Sequence, residues 1–302
     1  NTVTGNNNNA FGNSSGTQVT GSNNTATGYQ SGNGVFGNDN TASGNYSGNY
    51  VGNASISSYH NSAFGYNSGN YVVGDYNSAS GVESGNIVNG SSNNASGYNS
   101  GNSVNGYYNY AAGSNAGSYI SGNRNVAIGN NAGNGGVSAP LYVDDTIAIG
   151  TNSSASADRA TAIGNNAQAT GEDAIAIGTG ALAEGSVAIG EDAHAAQGGT
   201  AVGDYSEAIG INSAAYGANA SATGDRSFAA GDSSSATGES SIAIGDAASA
   251  NGINAIAVGE ESSATGDYAA VFGPNASASG ESSFAAGDSS SDSADYATAI
   301  GY

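Results

Sequence analysis

The 302 residues carry a net charge of -21, 50 glycines, 2 prolines and no Cys, Met or Trp, so large side chains are too few for a globular core of that length. Without cysteine there is no disulfide framework, no thiolate-bound metal and no thiol nucleophile. With only three cations, Arg124, Arg159 and Arg226, the chain lacks the basic clusters that release counterions from nucleic acid, which is excluded as a partner.

The start, "NTVTGNNNNAFG", has no charged segment followed by an apolar one, and no run of about 18 apolar residues occurs, so neither a signal peptide nor a membrane span is predicted. The chain reads as an internal or mature piece of something longer. From Asn13 the glycines become periodic, which argues against the disorder that a Gly-rich, weakly charged chain otherwise suggests. Blocks of 16 residues follow, each a segment of nine and a segment of seven, such as "YNSGNYVVGDYNSASG". Two blocks, Asn45 to Gly65 and Asn130 to Gly150, have 21 residues. The larger side chains Val19, Val35, Val72, Val88, Val104 and Ile120 sit in the nine-residue segments, predicting a thicker coil. The outward positions of the short segments are polar there, as in Thr25 and Thr27, Ser78 and Ser80, and Asn94 and Ser96.

From Thr151 the period drops to 14, two segments of seven, as in "NNAQATGEDAIAIG". "TGALAEGSVAIG" and "EDAHAAQGGTAVG" are shortened to 12 and 13 residues without breaking the array. Ala-x-Ala-x alternation is the period of a strand, and a glycine every seventh residue would cost a helix about 1 kcal/mol each time. The expectation is a parallel β-solenoid with one coil per block, in sections 1–150 and 151–302. Eight blocks and eleven blocks would stack to roughly 90 Å at about 4.8 Å per coil.

In "NNAQATG" and "EDAIAIG", Ala167, Ala169 and Gly171 share one face, as do Ala174, Ala176 and Gly178. These small faces meet in a thin interior, which turns Ile175 and Ile177 outward. Ile149, Ile163, Ile175, Ile177, Val187, Ile189, Ile242, Ile244, Ile256 and Val258 then form an apolar ridge, with Ile147, Val202, Val271 and Phe272 nearby. A stripe of that length exceeds an ordinary monomer surface. Parallel chains joined along a rotation axis would bury it; the pattern does not separate a dimer from a trimer. The competing reading is a monomeric solenoid whose ridge packs on another domain.

The recurring "SVAIG", "AIAIG" and "AIAVG" endings, alternating with "xxAxAxG", resemble the YadA-like head repeats of trimeric autotransporter adhesins. The resemblance covers Thr151 to Gly301 closely and Asn13 to Gly150 more loosely. It implies an all-β, left-handed parallel β-roll of 14- and 16-residue coils, assembled as a parallel homotrimer. It also implies a place on the bacterial cell surface, with membrane attachment only through a stalk and an outer-membrane anchor outside these residues. The implied partners are host extracellular-matrix proteins, cells or abiotic surfaces. Neither a cofactor nor a metal is expected, and no catalysis. The shared motif is structural, so no ligand-binding residue transfers from it.

His60 and His194 belong to different sections and neither is read as catalytic. Asp204, Asp232, Asp246, Glu260 and Asp288 follow one corner glycine; Asp225, Glu239, Asp267 and Glu281 follow the other. Calcium would relieve their repulsion, but the Gly-Gly-x-Gly-x-Asp calcium repeat is absent, so a solvated acidic surface is expected. Twelve of 18 tyrosines precede position 120; they serve either as contact residues or as braces for the longer coils. The five-residue insertions in "NASISSYHNS" and "NGGVSAPLYVDD" are read as protruding loops. The contact candidates are therefore Tyr59, His60, Tyr107, Tyr108, Tyr110, Leu141 and Tyr142. The sequence is read as an adhesin head. Alternatives are a structural spacer of a bacterial or phage fibre, and an ice- or mineral-binding solenoid. The last needs a regular hydroxyl or carboxylate array, which Thr25, Thr27 and Thr41 begin and Ser62 and Phe64 break.

Overall fold

The computed structural model describes residues 2–135 and 140–301. The chain is an all-β parallel solenoid of about 21 turns, with no helix among the described residues. It divides into two compact units, residues 1–160 and 161–302.

In the second unit each coil supplies a three-residue strand to one sheet and a two-residue strand to another. Thr161–Ile163, Ile175–Ile177 and Val187–Ile189 pair in parallel with Ala162, Ala176 and Ala188 in register. Strand alternation turns Ala176 inward, 0% exposed, and leaves Ile175 and Ile177 half-buried on the outer face. Gln168–Ala169 in the second sheet turns Ala169 toward the same interior, also 0% exposed. The interior is thus alanine against alanine, as the alternation predicts. Val271 is the exception: it pairs with Ala257 and Ala285 and is fully buried, so it belongs to the interior and not near the outer ridge. The ridge positions of its strand are Ala270 and Phe272.

The two shortened blocks keep the ladder, because Val187 pairs with Thr200 and Thr200 with Ala214. Their missing residues come out of the corners between Ala183 and Val187 and between Ala195 and Thr200. Regular corners are turned by left-handed residues such as Asn166 (φ 56°) and Asp173 (φ 60°), a conformation that Asn and Asp tolerate best among residues with a Cβ. Gly245 is needed for a second reason as well. At φ +134°, a Cβ built on it would lie 2.4 Å from the carbonyl oxygen of Gly259 in the next coil.

The first unit is thicker, as its longer blocks predict. Its three-residue strands, from Asn9–Phe11 through Thr25–Thr27 and Thr41–Ser43 to Ile147–Ile149, stack in register with their central alanines inward. Val19, Val35, Val51, Val72, Val88 and Val104 form a buried ladder, each 3–4% exposed. The first twelve residues lie outside the block frame yet also coil: Val3–Thr4 pairs with Val19–Thr20, and Asn9–Phe11 with Thr25–Thr27. Gly5, Asn8, Ala10 and Gly12 repeat the spacing of Gly21, Asn24, Ala26 and Gly28, which is why the turns outnumber the nineteen blocks.

The long coils also hold a polar ladder that the alternation does not reveal. Asn24, Asn40, Asn61, Asn77, Asn93, Asn109 and Asn125 are all buried. Each Oδ1 from Asn24 to Asn109 accepts both the backbone N–H and the Nδ2 of the next asparagine, as between Asn40 and Asn24 at 3.0 and 3.1 Å. The second Nδ2 proton goes to a backbone carbonyl, that of Ser58 in the case of Asn40, at 2.8 Å. Every amide in the ladder is satisfied, so its burial carries little desolvation penalty.

Candidate functional site

On the outer face of the second unit's three-residue strands, the first and third residues form two neighbouring columns. Ile175 stands beside Val187 and Ile177 beside Ile189; Ile163 adjoins Ile177. Ile242 stands beside Ile256 and Ile244 beside Val258. Ile149 lies in the first unit, paired with Ile128. All ten residues named from the pattern are half-buried or exposed, with Ile189 and Ile244 at 37% and 39%.

Phe272 lies on these columns as expected, and they hold three further aromatic members that the isoleucine pattern does not reveal, Tyr216, Phe228 and Phe284. Phe228 pairs with Ile242 and Tyr216 with Ala230, while Phe272 pairs with Ala286 and Phe284 with Ala270. The rings of Tyr216 and Phe228 meet at 5.8 Å, and those of Phe272 and Phe284 at 6.0 Å. Their signal was their place in "NSAAYG", "RSFAAG", "DYAAVFG" and "SSFAAG", where the outward slots hold one ring and one alanine. Apart from Thr161, Thr200 and Thr298, the columns therefore stay apolar where isoleucine gives out.

The second sheet presents a different surface. Its outward residues begin mixed, Gln168, Leu182, His194 and Glu207, and then become Ser221, Ser235, Ser249, Ser263 and Ser277 in register. Two residues on from Ser221, Ser235 and Ser263 stand Thr223, Thr237 and Thr265, all exposed. The Thr25 row of the first unit is broken as expected, running from Thr41 to Ser62 and from Ser43 to Phe64.

The first unit gathers aromatic side chains at its corners. Tyr59 and His60 share one corner with Tyr107 and Tyr108 of a later coil, since Tyr76 donates to Tyr59, Ser92 to Asp75 and Tyr108 to Ser91 along the backbone. His60 stacks on Tyr76, with centroids at 4.9 Å, while Tyr107 and Tyr108 are 52% and 65% exposed. Tyr110 lies apart on the outer face of the strand Tyr110–Ala112. Leu141 and Tyr142 form a strand paired with Ile120 and Ser121, so Leu141 is half-buried over Ile120 instead of protruding, whereas Tyr142 is 75% exposed. The first insertion is narrower than its quoted segment: Asn53–Ser57 leaves the coil, and Ser58 rejoins it by donating to the carbonyl of Phe36 at 2.8 Å. Of the second insertion, Gly136 to Ala139 lie outside the described residues.

The acidic corners have a structural use beyond solvation. Asp225 Oδ1 accepts the backbone N–H of Ile211 at 3.0 Å, Asp267 that of Ile253 and Asp295 that of Glu281, both at 2.9 Å. Each carboxylate caps an amide one coil back. Glu239 and Glu281 stand in the same column and make no such bond, being one methylene longer. Arg226 pairs with Glu239, and Arg124 donates to Asp145 at 2.6 Å, holding the Asp145 carboxyl below the usual aspartate range. Among the described residues no cluster of His, Asp and Glu has a metal-binding arrangement. His194 has Glu184 as its charged neighbour, at 3.7 Å.

The YadA head domain repeat model matches residues 144–167, 155–181 and 169–190, and then overlapping windows from 208–234 to 278–302. The interruption spans the 13-residue block, where a corner has lost a residue. No curated protein matches the chain. The matched windows are the coils whose alanines face inward and whose isoleucines face out, and through residues 144–302 the chain belongs to the YadA-like head domains of trimeric autotransporter adhesins.

Proposed function

We propose that this head attaches a bacterium to host matrix proteins, cells or abiotic surfaces by many weak, non-covalent contacts presented in parallel. YadA-like heads belong to surface-exposed adhesins; the finer reading is a left-handed, parallel homotrimer with the two apolar columns of the second unit on its axis. The observation that carries it is the continuity of those columns, from Ile163 through Tyr216 and Phe228 to Ile256 and Phe272. Apolar area left exposed costs about 25 cal/mol per Å², and a face of this kind needs a partner along its length. Three identical outer surfaces then face solvent. Tethered together they gain avidity of about 10²- to 10⁴-fold over one contact.

Beads coated with the protein at high density test this. Capture by cells, matrix proteins or polystyrene supports the reading, and no capture by any of them rejects it. The hydroxyl columns of Ser221, Ser235, Ser249, Ser263 and Ser277 with Thr223, Thr237 and Thr265 favour a second reading, binding to an ordered solid such as ice. Thermal hysteresis, or its absence, in a cooled solution of the protein decides that one.

A further inference from the structure

The first insertion creates a cleft that neither the repeat nor the family accounts for. In this column of the first unit, Phe36 and Val73 flank Gly52, as the bonds from Phe36 N to Val51 O and from Gly52 N to Val72 O establish, at 2.8 and 2.7 Å. Gly52 has no side chain and the chain leaves the coil just after it, so a gap one coil wide opens between Phe36 and Val73. At the adjoining corner Tyr50 and Tyr71 stack with centroids 4.8 Å apart and planes 10° from parallel. The coil before them has Gly34 at that corner, where a Cβ would come within 3.2 Å of Tyr50 Cδ1. The missing side chain at Gly52 and the aromatic pair thus border an open cleft of about 320 Å³.

Its wall is fixed. Asn53 Oδ1 accepts the backbone N–H groups of Ser55 and Ile56, both at 2.9 Å, and Asn53 N donates to Ile56 O at 2.8 Å. Asn53 Nδ2 and the hydroxyls of Tyr50 and Tyr71 hydrogen-bond to no other described residue. No cation lines the cleft. A second cavity is interior, about 70 Å³ drawn out along the valine and alanine ladders, and too thin for a ligand.

An aromatic ring outside the stack, Phe36, unengaged amide and phenol donors at the rim, no cation, and a volume at the small end of ligand sites match one class of molecule. We infer that this cleft binds a neutral pyranose ring, its C–H face against Phe36 and its hydroxyls toward Asn53 and the phenols of Tyr50 and Tyr71. This gives the adhesive reading a ligand class and rests on it for its biological setting. Anionic sugars are disfavoured, because the nearest arginine in sequence, Arg124, stands several coils further on and is paired with Asp145.

The test is proton NMR of the intact 302-residue chain titrated with lactose, cellobiose, maltose and N,N′-diacetylchitobiose, with 3′-sialyllactose as the anionic probe. The inference expects ring-current shifts of C–H protons on at least one neutral disaccharide. Tyr50→Ala and Tyr71→Ala should each weaken binding about tenfold, while Tyr268→Ala, in the second unit, leaves it unchanged. All three side chains are exposed, so these variants fold. Absence of binding by every neutral probe overturns the inference, as does equal binding of 3′-sialyllactose or binding that survives both tyrosine variants. Coated beads assayed in parallel separate the two readings: capture without sugar binding sinks the cleft alone, and loss of both sinks the adhesive reading with it.

Discussion

Asn93 is held by one oxygen of Asn77: its backbone N–H and its Nδ2 both donate to Asn77 Oδ1, at 3.0 and 3.1 Å. Asn77 in turn donates from Nδ2 to Asn61 Oδ1 and to the Gly90 carbonyl. Asn77→Ala removes this junction and leaves the Asn93 amide groups buried with fewer partners. Since each buried unsatisfied group costs about 1–3 kcal/mol, a loss of roughly 2–4 kcal/mol is expected. Urea unfolding gives the total, and hydrogen exchange at Asn93 reports the local opening. A loss under about 0.5 kcal/mol would mean that the ladder is not a source of stability.

The close approach of Gly245 to Gly259 separates two kinds of corner glycine. Gly185, in the 12-residue block, has neither a left-handed backbone nor a close approach: a Cβ built there lies 3.4 Å from Gln197 Cα, an ordinary contact. Gly185→Ala should therefore cost under about 1 kcal/mol. Gly245→Ala adds conformational strain and a collision with backbone and should cost clearly more, or split the melting curve at that coil. Equal melting temperatures for the two variants would contradict the role given to the inter-coil contact.

Ser227 Oγ is buried without a partner, whereas Ser283 Oγ, in the same column, donates to the Gly280 carbonyl at 2.7 Å. Ala255 and Ala269 fill that column elsewhere. Ser227→Ala is expected to be neutral or to stabilise by up to about 1 kcal/mol, and Ser283→Ala to cost about that much. Calorimetry of both variants shows whether the order holds.

The Arg124 guanidinium lowers the Asp145 pKa chiefly by hydrogen bonding, which outweighs the opposing effect of desolvation, and its charge adds a lesser lowering. A lowered folded pKa means that the pair's contribution is fully present above the ordinary aspartate value of about 3.9 and is lost as pH falls through the lowered value. Carbon-detected NMR should place the Asp145 midpoint below that of an ordinary aspartate, and Arg124→Gln should return it. Both groups are exposed, so added salt should shrink the difference. An unshifted midpoint in the native protein would contradict the pairing.

What the sequence makes legible is set by period. Two-residue alternation identifies Ala176 as inward and Ile177 as outward without knowledge of the coil, and both lie so. The same alternation is silent about corners, where one residue can be added or removed without changing any strand face. Hence the asparagine ladder, which sits at the corner before each three-residue strand, was present in "NTATG", "NSASG" and "NYAAG" but carried no face assignment. Val271 was misplaced because its size suggested the ridge, while its register puts it in an alanine slot. The cleft at Gly52 could not be read at all: it depends on which residue of Asn53–Ser57 closes back on the coil, and that is decided by the Asn53 turn.

The association of chains through the columns of Ile175, Ile242 and Ile256 is the central claim, and light scattering over a range of concentrations tests it most directly. The account predicts a mass of three times 29.0 kDa that survives dilution, and a fall in that mass when Ile242→Asp and Ile256→Asp place carboxylates on the ridge. A stable particle of 29.0 kDa at every concentration, with the solenoid intact by circular dichroism, would contradict it.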